Sequence, residues 1–249
     1  MVAIRRKTAL LGICLFVWCC ATAAFSQDDA ATRAAAMARA QQLQQLFAIE
    51  SNPYIRVKYI KELSAVLKEY DAKGSEQWVD DFLDKALRDS KGEVVIDAVR
   101  LIGTLQKCSF IDRLVTLYGA VAQSPVSLSS GPVRCEIIKV LNQFPADPRV
   151  CALFTHIITD TMTDPFAREV RLVVTAMGQS GNKVFVSSLR SFSRIMRVRK
   201  NSLEEKIKDV KLSKEEKSDC GYRISLYASL QGQTEKTMQK LAENPRGAR

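Results

Sequence analysis

Asp164–Arg190 reads DPFAREVRLVVTAMGQSGNKVFVSSLR, and the spacing of its apolar residues points to the fold. Asp164–Pro165 opens the stretch, and proline is well placed there because the first helical turn has no internal partner for its N–H. Apolar residues then run from Val170 to Met177 at helical spacing. Gln179–Ser180–Gly181–Asn182 interrupts them as a turn, and a second apolar run follows from Val184 to Met196. Two helices joined by a short connection are predicted.

The same pattern extends in both directions. Ile55, Tyr59, Ile60, Leu63, Val66 and Leu67 line one helix face, and Trp78, Phe82, Leu83 and Leu87 the next. Further faces follow at Ile96–Leu105, Ile111–Tyr118, Ile137–Leu141 and Val150–Ile158. Lys73–Gly74–Ser75 and Phe144–Pro145–Ala146–Asp147–Pro148 punctuate them. Strand signals are scarce, so the chain reads as all-α. Residues 27–51 are polar, rich in alanine and glutamine, and helix-prone. Residues 199–218 carry few apolar anchors and read as a charged helix extension or linker, followed by a C-terminal helical cap and tail over 219–249.

An apolar residue followed by arginine recurs on alternate helices: Ile55–Arg56, Val99–Arg100, Val133–Arg134, Val170–Arg171 and Tyr222–Arg223. The arginines are 44, 34, 37 and 52 residues apart, and the middle two spacings fit one helix–turn–helix unit each. These residues resemble HEAT repeats, in particular the short bacterial kind of the phycobilisome-lyase type. The resemblance covers about residues 52–198 and, more weakly, 219–243; the longest gap and the Gln123–Gly131 loop depart from it. It implies an α-solenoid of about four to five stacked helix pairs, a HEAT-like superhelix with a concave side. It also implies that Arg56, Arg100, Arg134, Arg171 and Arg223 are structural tethers between neighbouring units.

The N-terminus carries a different signal. Arg5, Arg6 and Lys7 precede the apolar run Thr8–Cys20 and the small residues Ala21–Ala24, the plan of a secretory signal over residues 1–26. Cleavage after Ser26 is expected; a retained anchor is the alternative, since Thr8–Phe25 lies at the lower limit for spanning a bilayer. The chain is therefore expected to be exported, to a periplasmic or other extracytoplasmic site. Cys108, Cys135, Cys151 and Cys220 remain beyond that segment and, with no Cys-x-x-Cys pair, are read as free thiols.

Composition narrows the chemistry. The chain of 249 residues is 47% hydrophobic and 26% charged, a globular composition. Its one histidine, His156, excludes every metal site built on two. Neither acid nor serine is placed beside it by motif, so it reads as a helix residue and not as a base. Asp80, Asp81, Asp84 and Asp89 lack calcium-loop spacing. Gly178–Lys183 has the wrong glycine spacing for a phosphate loop. No enzyme, cofactor, metal or small-molecule substrate is expected.

Charge is unevenly placed. Residues 27–189 hold 19 basic and 19 acidic side chains, whereas 190–249 hold 15 and 8. Within the basic excess, Arg190, Arg194 and Arg197 share one helical face, extended by Arg199 and Lys200, while Phe185, Leu189, Phe192 and Met196 supply the apolar side. This cluster is the candidate for binding a partner or an anionic surface, with a solvated helix face as the bland reading. Nucleic acid is not expected, because 193–221 lacks aromatics for base stacking and the chain is expected to be exported. The expected function is non-enzymatic: a protein-interaction scaffold of the cell envelope, with another protein as partner. The alternative is attachment to an anionic membrane surface or envelope polymer through the basic C-terminal region.

Overall fold

A computed structural model describes residues 32, 34–69, 77–123, 130–160, 167–209 and 211–243. All regular structure among them is helical. The chain divides into two compact units, one up to Phe82 and one from Leu83 onward.

The first unit holds α1 (34–49), α2 (Pro53–Glu69) and the beginning of α3 (Gln77–Leu87). The Asn52 carboxamide accepts a hydrogen bond from the Tyr54 N–H (3.0 Å), which starts α2 with Pro53 in its first turn. Leu43 and Phe47 of α1 and Ile60, Leu63 and Leu67 of α2 are buried, as the helical spacing requires. Phe47 meets Phe82 edge-on, with ring centroids 4.8 Å apart. Arg39 pairs with Glu62 across α1 and α2.

The second unit contains the rest of α3, then α4 (Gly92–Thr104), a 3-10 turn (Cys108–Phe110), α5 (Ile111–Gln123), α6 (Ser130–Leu141) and α7 (Pro148–Thr159). It ends with α8 (Ala167–Ser180), α9 (Phe185–Lys206) and α10 (Lys214–Glu243). Packing alternates along the chain. Helices α4, α6, α8 and α10 lie side by side in one row, and α5, α7 and α9 form another. Consecutive helices α5–α6, α7–α8 and α9–α10 join the rows. The core lies between them and includes Ile102, Leu114, Ile137, Phe154, Val173, Phe185 and Phe192.

Local chemistry sets the helix ends. Asp147 caps α7 by accepting from the Arg149 N–H (2.9 Å), with Pro148 in the first turn. Past the end of α8, Gly181 adopts φ +67, which a residue without a Cβ takes without strain. Asn182 then accepts from the Val184 N–H (3.1 Å) and turns the chain into α9.

The 199–218 segment differs from a separate linker. Helix α9 continues through Lys206, and α10 already begins at Lys214. Ser213 and Glu216 explain the early start: the Ser213 hydroxyl accepts from the Glu216 N–H (3.2 Å), and the Glu216 carboxylate accepts from the Ser213 N–H (2.9 Å). This reciprocal capping box satisfies two N–H groups that the helix itself cannot. No described residue between Arg197 and Asp219 is buried. The expected signal over 1–26 and the Lys73–Ser75 turn lie outside the described residues. No described helix is long and apolar enough to cross a membrane.

Candidate functional site

The recurring arginines all lie on even-numbered helices, one each on α2, α4, α6, α8 and α10. In the second unit three of them reach the next helix of their row. Arg100 of α4 donates to Glu136 of α6 (3.2 Å) and also pairs with Asp97 (2.9 Å). Arg134 of α6 donates to Glu169 of α8 (2.9 Å) and to the Val121 carbonyl (3.3 Å). Arg171 of α8 donates to the Ser229 hydroxyl of α10 (3.3 Å). The other two make local contacts: Arg56 donates to the Glu50 carbonyl (3.2 Å), and Arg223 pairs with Asp219 one turn away (2.9 Å).

The middle rung is buried. Arg134 and Glu169 are 9% and 4% exposed at the side chain, and the Tyr118 hydroxyl donates to the second Glu169 oxygen (3.3 Å). Burial pushes the Glu169 carboxyl above its ordinary range, against the opposing pull of Arg134 and Tyr118. Burial likewise raises the Tyr118 phenol, helped by the neighbouring carboxylate. At the Arg100 rung, burial raises the Glu136 carboxyl, but bonds from Lys139 and Arg100 outweigh it and leave it lowered.

The predicted basic cluster lies on α9. Arg190, Arg194 and Arg197 are exposed, on the side away from buried Phe185, Leu189, Phe192 and Met196. They form no ion pair among the described residues. Arg199 and Lys200 are half-buried, and Lys200 lies 3.6 Å from Glu204. Exposed Ile195 and Val198 interleave with the arginines, so the face is amphipathic and not purely charged.

A second basic feature was not foreseen. An open groove of about 620 Å³ runs between α8 and α10, lined in part by Thr175, Gln179, Ser229, Gln233, Lys236 and Lys240. Gly178 permits the close approach of the two helices, since a Cβ there would lie 2.9 Å from the Thr237 methyl group. A Cβ on Gly232 would meet nothing within 4 Å and would project into open space. Gln233 ties the helices together by donating to the Thr175 hydroxyl (2.7 Å) and the Arg171 carbonyl (3.1 Å). Lys236–x-x-x–Lys240 is visible in the sequence, but only the packing of α8 against α10 gives it a facing wall.

The remaining candidates stay dispersed. His156 is exposed, 3.8 Å from Asp160 on the same helix. Asp84 pairs with Arg113 (2.9 Å), Asp81 accepts from Gln77 (3.0 Å), and Asp89 accepts from the Lys91 N–H (2.9 Å). Among the described residues no three potential metal ligands come together.

Cys108, Cys135, Cys151 and Cys220 are free thiols in the structure. Cys108 is exposed, whereas Cys135 and Cys220 are buried. Burial raises the Cys135 thiol and, with Asp147 adding to it, the Cys151 thiol. The thiolate is the reactive form, so folded protein treated with iodoacetamide is expected to label at Cys108 first. Peptide mass mapping checks this; Cys135 labelling as fast as Cys108 would contradict the burial.

No family model, curated protein or solved structure matches the chain.

Proposed function

We propose that the chain is an exported, non-enzymatic α-solenoid of the HEAT type that serves as a protein-interaction scaffold in the cell envelope. The observation that carries this reading is the alternation of helices into two rows in the second unit, with Arg100, Arg134 and Arg171 each reaching the next helix of one row. Neighbour-to-neighbour packing of this kind is what stacked repeats require, since each pair cannot bury its apolar face alone. Partner capture is the use that such a row of exposed helices favours. In-cell crosslinking of the tagged full-length chain, followed by purification of the envelope fraction and mass spectrometry, tests it. One defined protein partner is the expected result; recovery of membrane or polymer alone would overturn it.

A second reading rests on the α9 face, where Arg190, Arg194 and Arg197 stand exposed beside Ile195 and Val198. Such a face suits an anionic membrane surface, at about 1 kcal/mol per basic residue near the lipid. Under this reading, Arg190→Glu/Arg194→Glu/Arg197→Glu weakens cosedimentation with phosphatidylserine-containing vesicles by about a hundredfold or more. Unchanged sedimentation would leave the arginines as solvated surface.

A further inference from the structure

We propose that the α8–α10 groove is a binding site for an acidic peptide segment of the partner protein, with Arg171, Lys236 and Lys240 receiving its carboxylates. The proposal rests on the protein-interaction reading above and adds the place and the chemistry of recognition.

Arg171 is the first indication. Arg100 and Arg134 both end on carboxylates of the next helix, but at the third rung Arg171 meets the Ser229 hydroxyl, and no described carboxylate contacts it. Arg171 is thus tied to Ser229, a residue that lines the groove, and has no carboxylate partner among the described residues. Lys236 and Lys240 supply the second indication: both line the groove, both are exposed, and neither forms an ion pair among the described residues. No acidic side chain lines the groove among the described residues. The two glutamates nearest in sequence are engaged elsewhere. Glu235 accepts from Gln231 (2.8 Å) and from Ser193 of α9 (3.4 Å), and Glu243 accepts from Gln239 (2.8 Å).

The shape selects a strand over a single small anion. From Ser229, where Arg171 is anchored, to Lys240 is about 16 Å at the helical rise, the length of about five residues of extended chain. Lys236 and Lys240 are about 6 Å apart along α10, close to the separation of about 7 Å between alternate side chains of an extended peptide. Glutamate or aspartate at alternate positions therefore places successive carboxylates on successive lysines. Backbone partners are also present. Gln179 uses its carbonyl oxygen on Asn142 (3.0 Å), which leaves its amide N–H groups for a peptide carbonyl. Gln233 uses its amide N–H groups within the protein, which leaves its carbonyl oxygen for a peptide N–H.

The test uses the full chain and a fluorescein-labelled hexapeptide with glutamate at alternate positions, read by fluorescence anisotropy. Saturable binding is expected, weakened about tenfold or more by Lys236→Glu/Lys240→Glu, since lost charge complementarity is replaced by repulsion. Gly232→Leu is expected to block the groove to a similar extent; thermal melting followed by circular dichroism establishes that both variants are folded. Lys58→Glu, at an exposed position of α2 that does not line the groove, is expected to leave binding within about twofold. Peptide affinity unchanged in both groove variants overturns the proposal, as does displacement of the peptide by an equal concentration of inorganic phosphate. Crosslinking separates the two levels. If the groove variants capture the same protein partner as the unmodified chain, the groove assignment fails and the scaffold reading stands; if the unmodified chain captures none, the scaffold reading itself fails.

Discussion

Arg134→Ala is expected to destabilise the second unit by about 3–5 kcal/mol, the usual cost of removing one partner from a buried ion pair. The variant strands Glu169, whose side chain is 4% exposed and whose remaining contact is the Tyr118 hydroxyl. Urea unfolding measures the loss through the shift in midpoint. The same experiment on Glu169→Gln and on the double variant apportions it. Arg134→Ala/Glu169→Gln is expected to recover much of the stability, because no buried charge then lacks a partner. Equal losses in the single and double variants would mean that the cost is packing and not charge.

The pH dependence has a definite sign. The folded-state Glu169 carboxyl is already raised by burial, so the folded chain holds this proton more tightly than the unfolded chain. Its contribution to stability is therefore greatest at pH below the ordinary carboxylate range and declines as pH rises through the raised value. Removing the Arg134 guanidinium raises it further. The deficit of Arg134→Ala relative to the unmodified protein should thus shrink as pH is lowered from neutrality toward the raised value. Glu136, lowered by Lys139 and Arg100, acts in the opposite sense: its contribution is present above the ordinary carboxylate range and is lost as pH falls through the lowered value. A deficit in Arg134→Ala that grows on mild acidification would contradict the assignment of Glu169.

Phe154→Ala is the second large effect, an expected loss of about 3–5 kcal/mol from a fully buried aromatic side chain. Phe154 of α7 sits against Phe185 of α9, with ring centroids 6.5 Å apart, so the cavity opens at the joint between two helices of the same row. Truncation removes contacts on both sides of that joint. Phe154→Leu keeps most of the volume and is expected to cost less than about 1.5 kcal/mol. Calorimetry or denaturant unfolding compares the two, and a leucine variant as unstable as the alanine variant would show that ring shape, not volume, holds the rows together. Because stacked units depend on their neighbours, hydrogen exchange should localise the alanine defect to α7, α9 and the helices they touch before the remainder of the unit.

Much of the helical architecture is legible in local sequence because its causes are local. Asp147–Pro148, Gly181–Asn182 and the 3.6-residue spacing of apolar side chains each act within a few residues, and each marks an element found in the structure. The capping box Ser213–Glu216 is equally local and equally readable, and it accounts for α10 beginning ahead of the polar stretch's end. The placement of Arg190, Arg194 and Arg197 on the face opposite Phe185, Leu189, Phe192 and Met196 follows from helical periodicity alone.

What the recurring arginines bond to depends on which helices become neighbours. Arg100 and Glu136 are 36 residues apart, Arg134 and Glu169 are 35, and Arg171 and Ser229 are 58. No spacing rule along the chain distinguishes a carboxylate partner at the first two from a hydroxyl at the third. The groove has the same origin. Lys236 and Lys240 are ordinary surface lysines on α10 until Gly178 allows α8 to approach and Gln179 and Thr175 supply the opposite wall. The sequence by itself determined the helices, their caps and their apolar faces, since those are short-range interactions; the pairing of charges and the groove were decided only by tertiary packing, which brings together residues that no local interaction relates.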